Sequence, residues 1–200
     1  MPVRGTVGGG TTCRLRAGCR ADGDPCQGAR IHRAWPSPGP CEPGVTWDGA
    51  PFAGAKLAAL LGDSLLAYCR DDKPDIPFPG MIDLPGGGRE GDESPAECVL
   101  RELAEEFGIS ITADRLHYCR PYRLGDGASI SHFFAVYLTE SEIGAVRFGD
   151  EGQDWALMPV ADFVADTDAV PQLRDWLAHY LMADTAIRCL DTASKNPGIT

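Results

Sequence analysis

A layered α/β or α+β sandwich is the fold class that the sequence predicts, and three observations predict it. Short apolar runs of strand character recur at 56–61, 64–70, 81–84, 116–122, 131–139 and 154–158. A helical pattern with its own start and stop signals interrupts the strands between Ser94 and Gly108. A second helical pattern follows Pro171, with Leu173, Trp176, Leu177, Tyr180 and Leu181 at i, i+3, i+4, i+7 and i+8. Strands interleaved with helices bury their apolar faces in layers. The 200 residues, 44% of them hydrophobic, hold material for one good core.

Residues 1–46 stand apart. They are rich in Gly and Pro, carry six arginines and no lysine, and repeat no apolar pattern. Such a segment cannot bury enough surface to offset its ordering entropy, so it is expected to be a disordered tail. It lacks the apolar stretch of a secretory signal. The folded domain is expected over 47–183, with a second tail at 184–200.

Within the domain, Gly62-Asp63 is the turn between the first two strands. Asp71 to Pro79 mixes Asp, Lys and Pro and reads as a loop. A short strand, 81–84, then runs into Pro85-Gly86-Gly87-Gly88. Along 131–139, Phe133, Ala135 and Tyr137 alternate with His132, Phe134, Val136 and Leu138, apolar on both faces, which predicts an interior strand. Pro171 suits the first turn of the last helix.

Composition narrows the function. A formal net charge of -11 repels phosphate backbones, so long nucleic acid is not expected as a partner. Small phosphorylated compounds stay open, because a bound divalent cation reverses the local field. No apolar run approaches the length of a membrane span. The eight cysteines show no C-x-x-C pair and are read as free thiols in a reducing cytoplasm.

The chemistry lies between Gly87 and Ile109. Ser94 is a good N-cap, Pro95 fits the first helical position, and Glu97 completes a capping box. Gly108 sits where a left-handed C-terminal residue is wanted, so the helix should span 95–107. At about 100° per residue, Ala96, Val99, Leu100, Leu103 and Phe107 form the core face. Glu102, Glu105 and Glu106 share a neighbouring arc without a lysine, an arrangement that calls for a compensating cation. Oxygen-only ligands suit Mg²⁺ or Mn²⁺ better than zinc. An alternative remains, that the glutamates form a solvated face because Glu favours helices. Gly86, Gly87 and Gly88 let backbone groups approach a ligand closely. Glu93, ahead of the helix, is placed to pair with Arg101 and brace the loop.

Gly87, Glu93 six residues later, and Arg101-Glu102-Leu103-x-Glu105-Glu106-x-Gly108-Ile109 match G-x5-E-x7-R-E-U-x-E-E-x-G-U at every defined position. The chain thereby resembles the Nudix hydrolases, MutT-like members included. A chance match is expected on the order of 10⁻⁷ times in such a chain. With the flanking turn and strands, the likeness spans roughly 56–182. The resemblance implies a Nudix-type α/β/α sandwich with a mixed sheet. It also implies metal-dependent hydrolysis of a nucleoside diphosphate linked to another group. Residue by residue, it implies Glu105 and Glu106 as principal metal ligands, Glu102 as ligand or base, and Gly87 as a carbonyl ligand. Arg101 and Glu93 would be an orienting pair, flanked by Gly86 and Gly88. Many members use a further acidic residue outside this stretch; Glu151 is the candidate and Asp150 the alternative, against the reading that both decorate a loop.

The expected substrate is a (d)NTP or an oxidised (d)NTP, by architectural analogy with the MutT-like members. ADP-ribose, nucleotide sugars or dinucleotides are the alternative. A small nucleotide is the expected partner, in the cytoplasm, with a homodimer left open. A regulatory domain that binds nucleotides without cleaving them is the non-enzyme alternative, and the complete glutamate set argues against it. His117 to Arg123 offers aromatic faces and arginines and reads as sheet surface. The four histidines lack metal spacing.

Overall fold

The computed structural model describes residues 47–125 and 127–194, with side chains as far as Asp184. In chain order the elements are β1 (Gly54–Leu61), β2 (Ser64–Cys69), β3 (Ile82–Asp83), α1 (Pro95–Phe107), β4 (Tyr118–Arg123), β5 (Ile130–Tyr137), α2 (Glu140–Gly144), β6 (Asp154–Pro159), α3 (Val160–Ala165) and α4 (Pro171–Ser194). A single 3-10 turn, Ala113–Arg115, precedes β4. The tail expected over 1–46 lies outside the described residues.

The sheet is mixed. β1 pairs with β5 in parallel, and every other strand pair is antiparallel. Its order is β3-β2-β1-β5-β4, with β6 along β2. The interior placement expected for β5 is observed, since β1 and β4 flank it. Alternate side chains divide two cores. Ala58, Leu60, Leu65, Ala67, Phe133 and Ala135 pack with Phe163, Leu173, Trp176 and Leu177 from α3 and α4. Leu57, Ala59, Leu66, Phe134 and Val136 face Val99, Leu103 and Phe107 of α1. This is the expected α/β/α sandwich. The period-2 alternation of each strand feeds both layers, which is why these strands are apolar on both faces.

β2 explains how the site is built. β6 runs along its whole length, so β1 and β3 must share its other edge. β1 meets β2 only at Leu60↔Leu65 and Leu61↔Ser64, and beyond the turn the two strands splay apart. The segment from Ile82 to Arg89 enters the gap. Ile82 and Asp83 pair with β2, whereas the Ala55 and Leu57 N–H groups donate to the Gly87 and Pro85 carbonyls at 3.0 and 2.9 Å. The glycine-rich turn is thus a wedge hydrogen-bonded to both strands.

Some expectations need correction. On α1, Ala96 and Leu100 are only partly buried, while Cys98 and Glu106 are buried instead. The strand expected over 81–84 is confined to Ile82–Asp83, because its continuation turns to pair with β1. The short α2 and α3 carried no periodic signal long enough to read. The boundary expected at 183/184 falls inside α4, which continues to Ser194. Cys98 carries a free thiol, as expected, but Cys69 is in a disulfide. No helix among the described residues is long and apolar enough to cross a membrane.

Candidate metal-dependent active site

The caps of α1 fix its position. The Ser94 hydroxyl accepts from the Glu97 N–H, the Glu97 carboxylate accepts from the Ser94 N–H at 2.8 Å, and Gly108 closes the helix at φ 67°. Glu93 then meets Arg101 as its spacing predicted. The guanidinium donates to both Glu93 oxygens at 2.9 and 3.1 Å and to the Gly88 carbonyl at 2.9 Å. Hydrogen bonds from Arg101 hold the Glu93 carboxyl down at about 2. This fork ties the start of the loop to the second turn of the helix.

Close approach explains the glycines. A side chain on Gly86, at φ 125°, would begin 2.2 Å from the Ala55 carbonyl oxygen. One on Gly87 would begin 2.3 Å from a Glu102 carboxylate oxygen. Glycine at 86 lets the turn lie against β1, and glycine at 87 lets α1 press its acidic arc against the turn.

The three glutamates of that arc differ. Glu106 is buried at 5% exposure, and one oxygen accepts from the Gly86 N–H at 2.9 Å. Burial pushes its carboxyl up to about 7, although Lys56 and that N–H oppose the rise. Glu102 is half-buried and is also raised by burial. Glu105 is exposed, and Arg101 donates to it at 2.8 Å and to Glu102 at 3.0 Å. Two desolvated carboxylates beside a third form a site that gains from a cation.

Gly87 O accepts from the Ala55 N–H within the sheet, whereas Gly86 O accepts from the Lys56 ammonium at 2.6 Å.

Behind the arc lies a charged cluster that the sequence reading did not single out. Asp83 is buried at 2% exposure and accepts from Lys56 at 2.9 Å, from Arg70, from the Leu84 N–H at 2.7 Å and from the Tyr68 hydroxyl at 3.4 Å. The signal was present: a lysine and an aspartate stood inside apolar strands, where a buried charge requires a partner.

Lys56, Tyr68, Arg70 and Asp83 border one cleft of about 440 Å³. Glu102, Glu105, Glu106, Gly86, Gly87, Gly88 and Arg101 line the same cleft. So do Phe78, Leu124, Ser131, Gln172, Leu173 and Trp176. Glu151 also borders the cleft, although it is exposed; Asp150 and Glu93 do not. The strand 117–123 stays outside the lining, as the sheet-surface reading expected. Tyr122 stacks on Trp176 at 4.6 Å, and His117 stacks on Tyr137 at the same distance.

The donor set fits an oxygen-preferring divalent cation in kind. As placed, no group of three or more His, Cys, Asp or Glu side chains among the described residues could hold a metal ion, and Arg101 is hydrogen-bonded to both Glu102 and Glu105.

Comparison with known proteins agrees with this geometry. The family model of the NUDIX domain matches residues 54–180. A stretch of 57 residues, 28% of the chain, is 47% identical to an RNA pyrophosphohydrolase of Acidiphilium cryptum but spans only 34% of that protein. Over 114 residues the chain is 32% identical to an 8-oxo-dGTP diphosphatase of Haemophilus influenzae, covering 54% of the chain and 75% of that protein. Among solved structures, a MutT protein from Methanosarcina mazei aligns with a TM-score of 0.55 at 20% identity, over 67% of the chain and 96% of that protein.

Proposed function

Because the chain belongs to the NUDIX domain family, we propose that it is a divalent-metal-dependent hydrolase cutting the pyrophosphate linkage of a small nucleoside-diphosphate compound. A (d)NTP or oxidised (d)NTP is the preferred substrate. The observation that carries this reading is that Glu102, Glu105, Glu106 and Gly86 line a single cleft. Leu173, Trp176 and the amide-bearing Gln172 line the same cleft. A phosphate chain at the carboxylates would leave a base to reach that apolar wall.

Glu102, Glu105, Glu106 and Gly86 O would hold Mg²⁺ or Mn²⁺. When bound, the cation would supply charge neutralisation for the diphosphate and Lewis acidity. The protein supplies the rest. The Gly86 N–H fixes Glu106, and Arg101, braced by Glu93, orients the acidic arc from its outer side. Glu151, which borders the cleft, would take the proton of the attacking water, with Glu102 as the second base candidate. Attack at phosphorus breaks the bridging P–O bond, and the leaving phosphate departs with the bridging oxygen.

Support for a (d)NTP comes from the 8-oxo-dGTP diphosphatase likeness. The RNA pyrophosphohydrolase likeness covers a short stretch, and a net charge of -11 disfavours a long RNA. Phosphate release would be measured with Mg²⁺ across dNTPs, oxidised dGTP, ADP-ribose, nucleotide sugars and dinucleoside polyphosphates. One substrate class should turn over, and Glu106→Gln should lower its kcat/KM by about 10³-fold. A flat panel with nucleotide binding retained would replace this reading by that of a nucleotide-binding regulator.

A further inference from the structure

The Lys56 ammonium has three acceptors: Asp83 Oδ2 at 2.9 Å, Leu84 O at 3.1 Å and Gly86 O at 2.6 Å. Three acceptors saturate its three donors. The shortest of these bonds is to the same carbonyl that would serve as the backbone ligand of a metal. Gly86 is also the residue whose N–H holds Glu106, so one residue links the ammonium and the buried carboxylate. The other candidate ligands are engaged as well, because the Glu102 and Glu105 carboxylates both accept from Arg101. The cations of the chain itself therefore hold the acidic arc together.

Arg70 and Lys56 do different work here. Both bond Asp83, but only Lys56 bonds a carbonyl of the glycine turn. Its charge also counteracts burial at both Glu102 and Glu106. A divalent ion arriving at Gly86 O would meet that positive charge at short range, where like charges repel strongly in a partly desolvated cleft.

We propose that Lys56 is the resident counter-cation of this site: it neutralises the acidic arc in the absence of metal and releases Gly86 O, keeping Asp83 and Leu84 O, when a divalent ion binds. The proposal rests on the metal-binding reading given above. It assigns Lys56 a positioning role that sets metal affinity and keeps the empty site from collapsing by repulsion.

Mn²⁺ affinity would be measured by electron paramagnetic resonance of the free ion, on wild type, Lys56→Met and Glu106→Gln. Lys56→Met should bind Mn²⁺ about tenfold more tightly than wild type, and Mn²⁺ should raise its Tm by a larger increment. An unchanged or weaker affinity would overturn the proposal and leave Lys56 as a brace of the turn. A second measurement needs no variant to fold. The chain has three lysines, so the side-chain ¹⁵N signals are few. Mg²⁺ added to wild type should shift the Lys56 signal saturably and leave Lys73 in place, and an unmoved Lys56 signal overturns the proposal. Absence of saturable Mn²⁺ binding by wild type would overturn the metal reading itself. Binding lost in Glu106→Gln without tightening in Lys56→Met would overturn the counter-cation alone.

Discussion

At Glu106, burial and the charges of Glu102 and Asp83 push the carboxyl up, while Lys56 and the Gly86 N–H pull against them, leaving it at about 7. The unfolded chain releases this proton near 4.5, so between about pH 4.5 and 7 the folded state holds a proton that the unfolded state has lost. The stability that this group contributes is therefore complete below 4.5 and falls as pH rises toward 7. Glu93 acts in the opposite sense: held at about 2, it contributes stability above 4.5 that is lost on acidification toward 2. Thermal unfolding in chelator across pH 2 to 8 separates the two. Glu106→Gln should flatten the upper slope and leave the acid limb unchanged, and parallel curves for both proteins would contradict this assignment. Arg101 is the other residue with several duties, bonding Glu93, Glu102, Glu105 and Gly88 O. A lysine keeps the charge and loses the planar fork. Arg101→Lys should weaken Mn²⁺ binding or turnover by about 10–100-fold, as for other residues that orient metal ligands.

The elements divide into those stabilised by their own sequence and those held by others. α1 belongs to the first kind, with a capping box, Pro95 at its start and a left-handed Gly108 at its end. Ser94→Ala should cost about 1 kcal/mol, read as a lower Tm, with activity per folded molecule retained. A loss of specific activity would mean that the cap also sets the acidic arc. Local signals of this kind made α1 legible to the residue from sequence, and β1, β2, β5, β6 and the start of α4 were legible from period and turn chemistry. The wedge was not legible. Its pairing to β1 and β2 depends on how far two strands diverge, and no local pattern encodes that divergence. The same limit explains the acidic site. Spacing placed Glu102, Glu105 and Glu106 on one arc and joined Glu93 to Arg101. It could not show that the Gly86 and Gly87 carbonyls take different partners, Lys56 and the Ala55 N–H, or that Lys56, Arg70 and Asp83 meet across separate strands.

For the molecule as a whole, the sheet separates two apolar layers that share no side chain. Leu103 on α1 and Leu177 on α4 are fully buried in opposite layers. Shortening either to Val should cost roughly 1 kcal/mol for the deleted methylene. The two costs should add to within about 0.5 kcal/mol in denaturant unfolding of the double variant. A larger coupling would mean that strain passes through the sheet from one layer to the other.

The wedge between β1 and β2 has a kinetic consequence. Its backbone partners belong to strands that are themselves secured elsewhere, β1 by β5 and β2 by β6. Both pairings join residues distant in sequence, and contacts of this kind form slowly during folding. The turn carrying Gly86 can be clasped only after they exist, although α1 has every local reason to form early. In refolding, helical circular dichroism should therefore recover ahead of Mn²⁺ capture, so that the ion reports the last register to close.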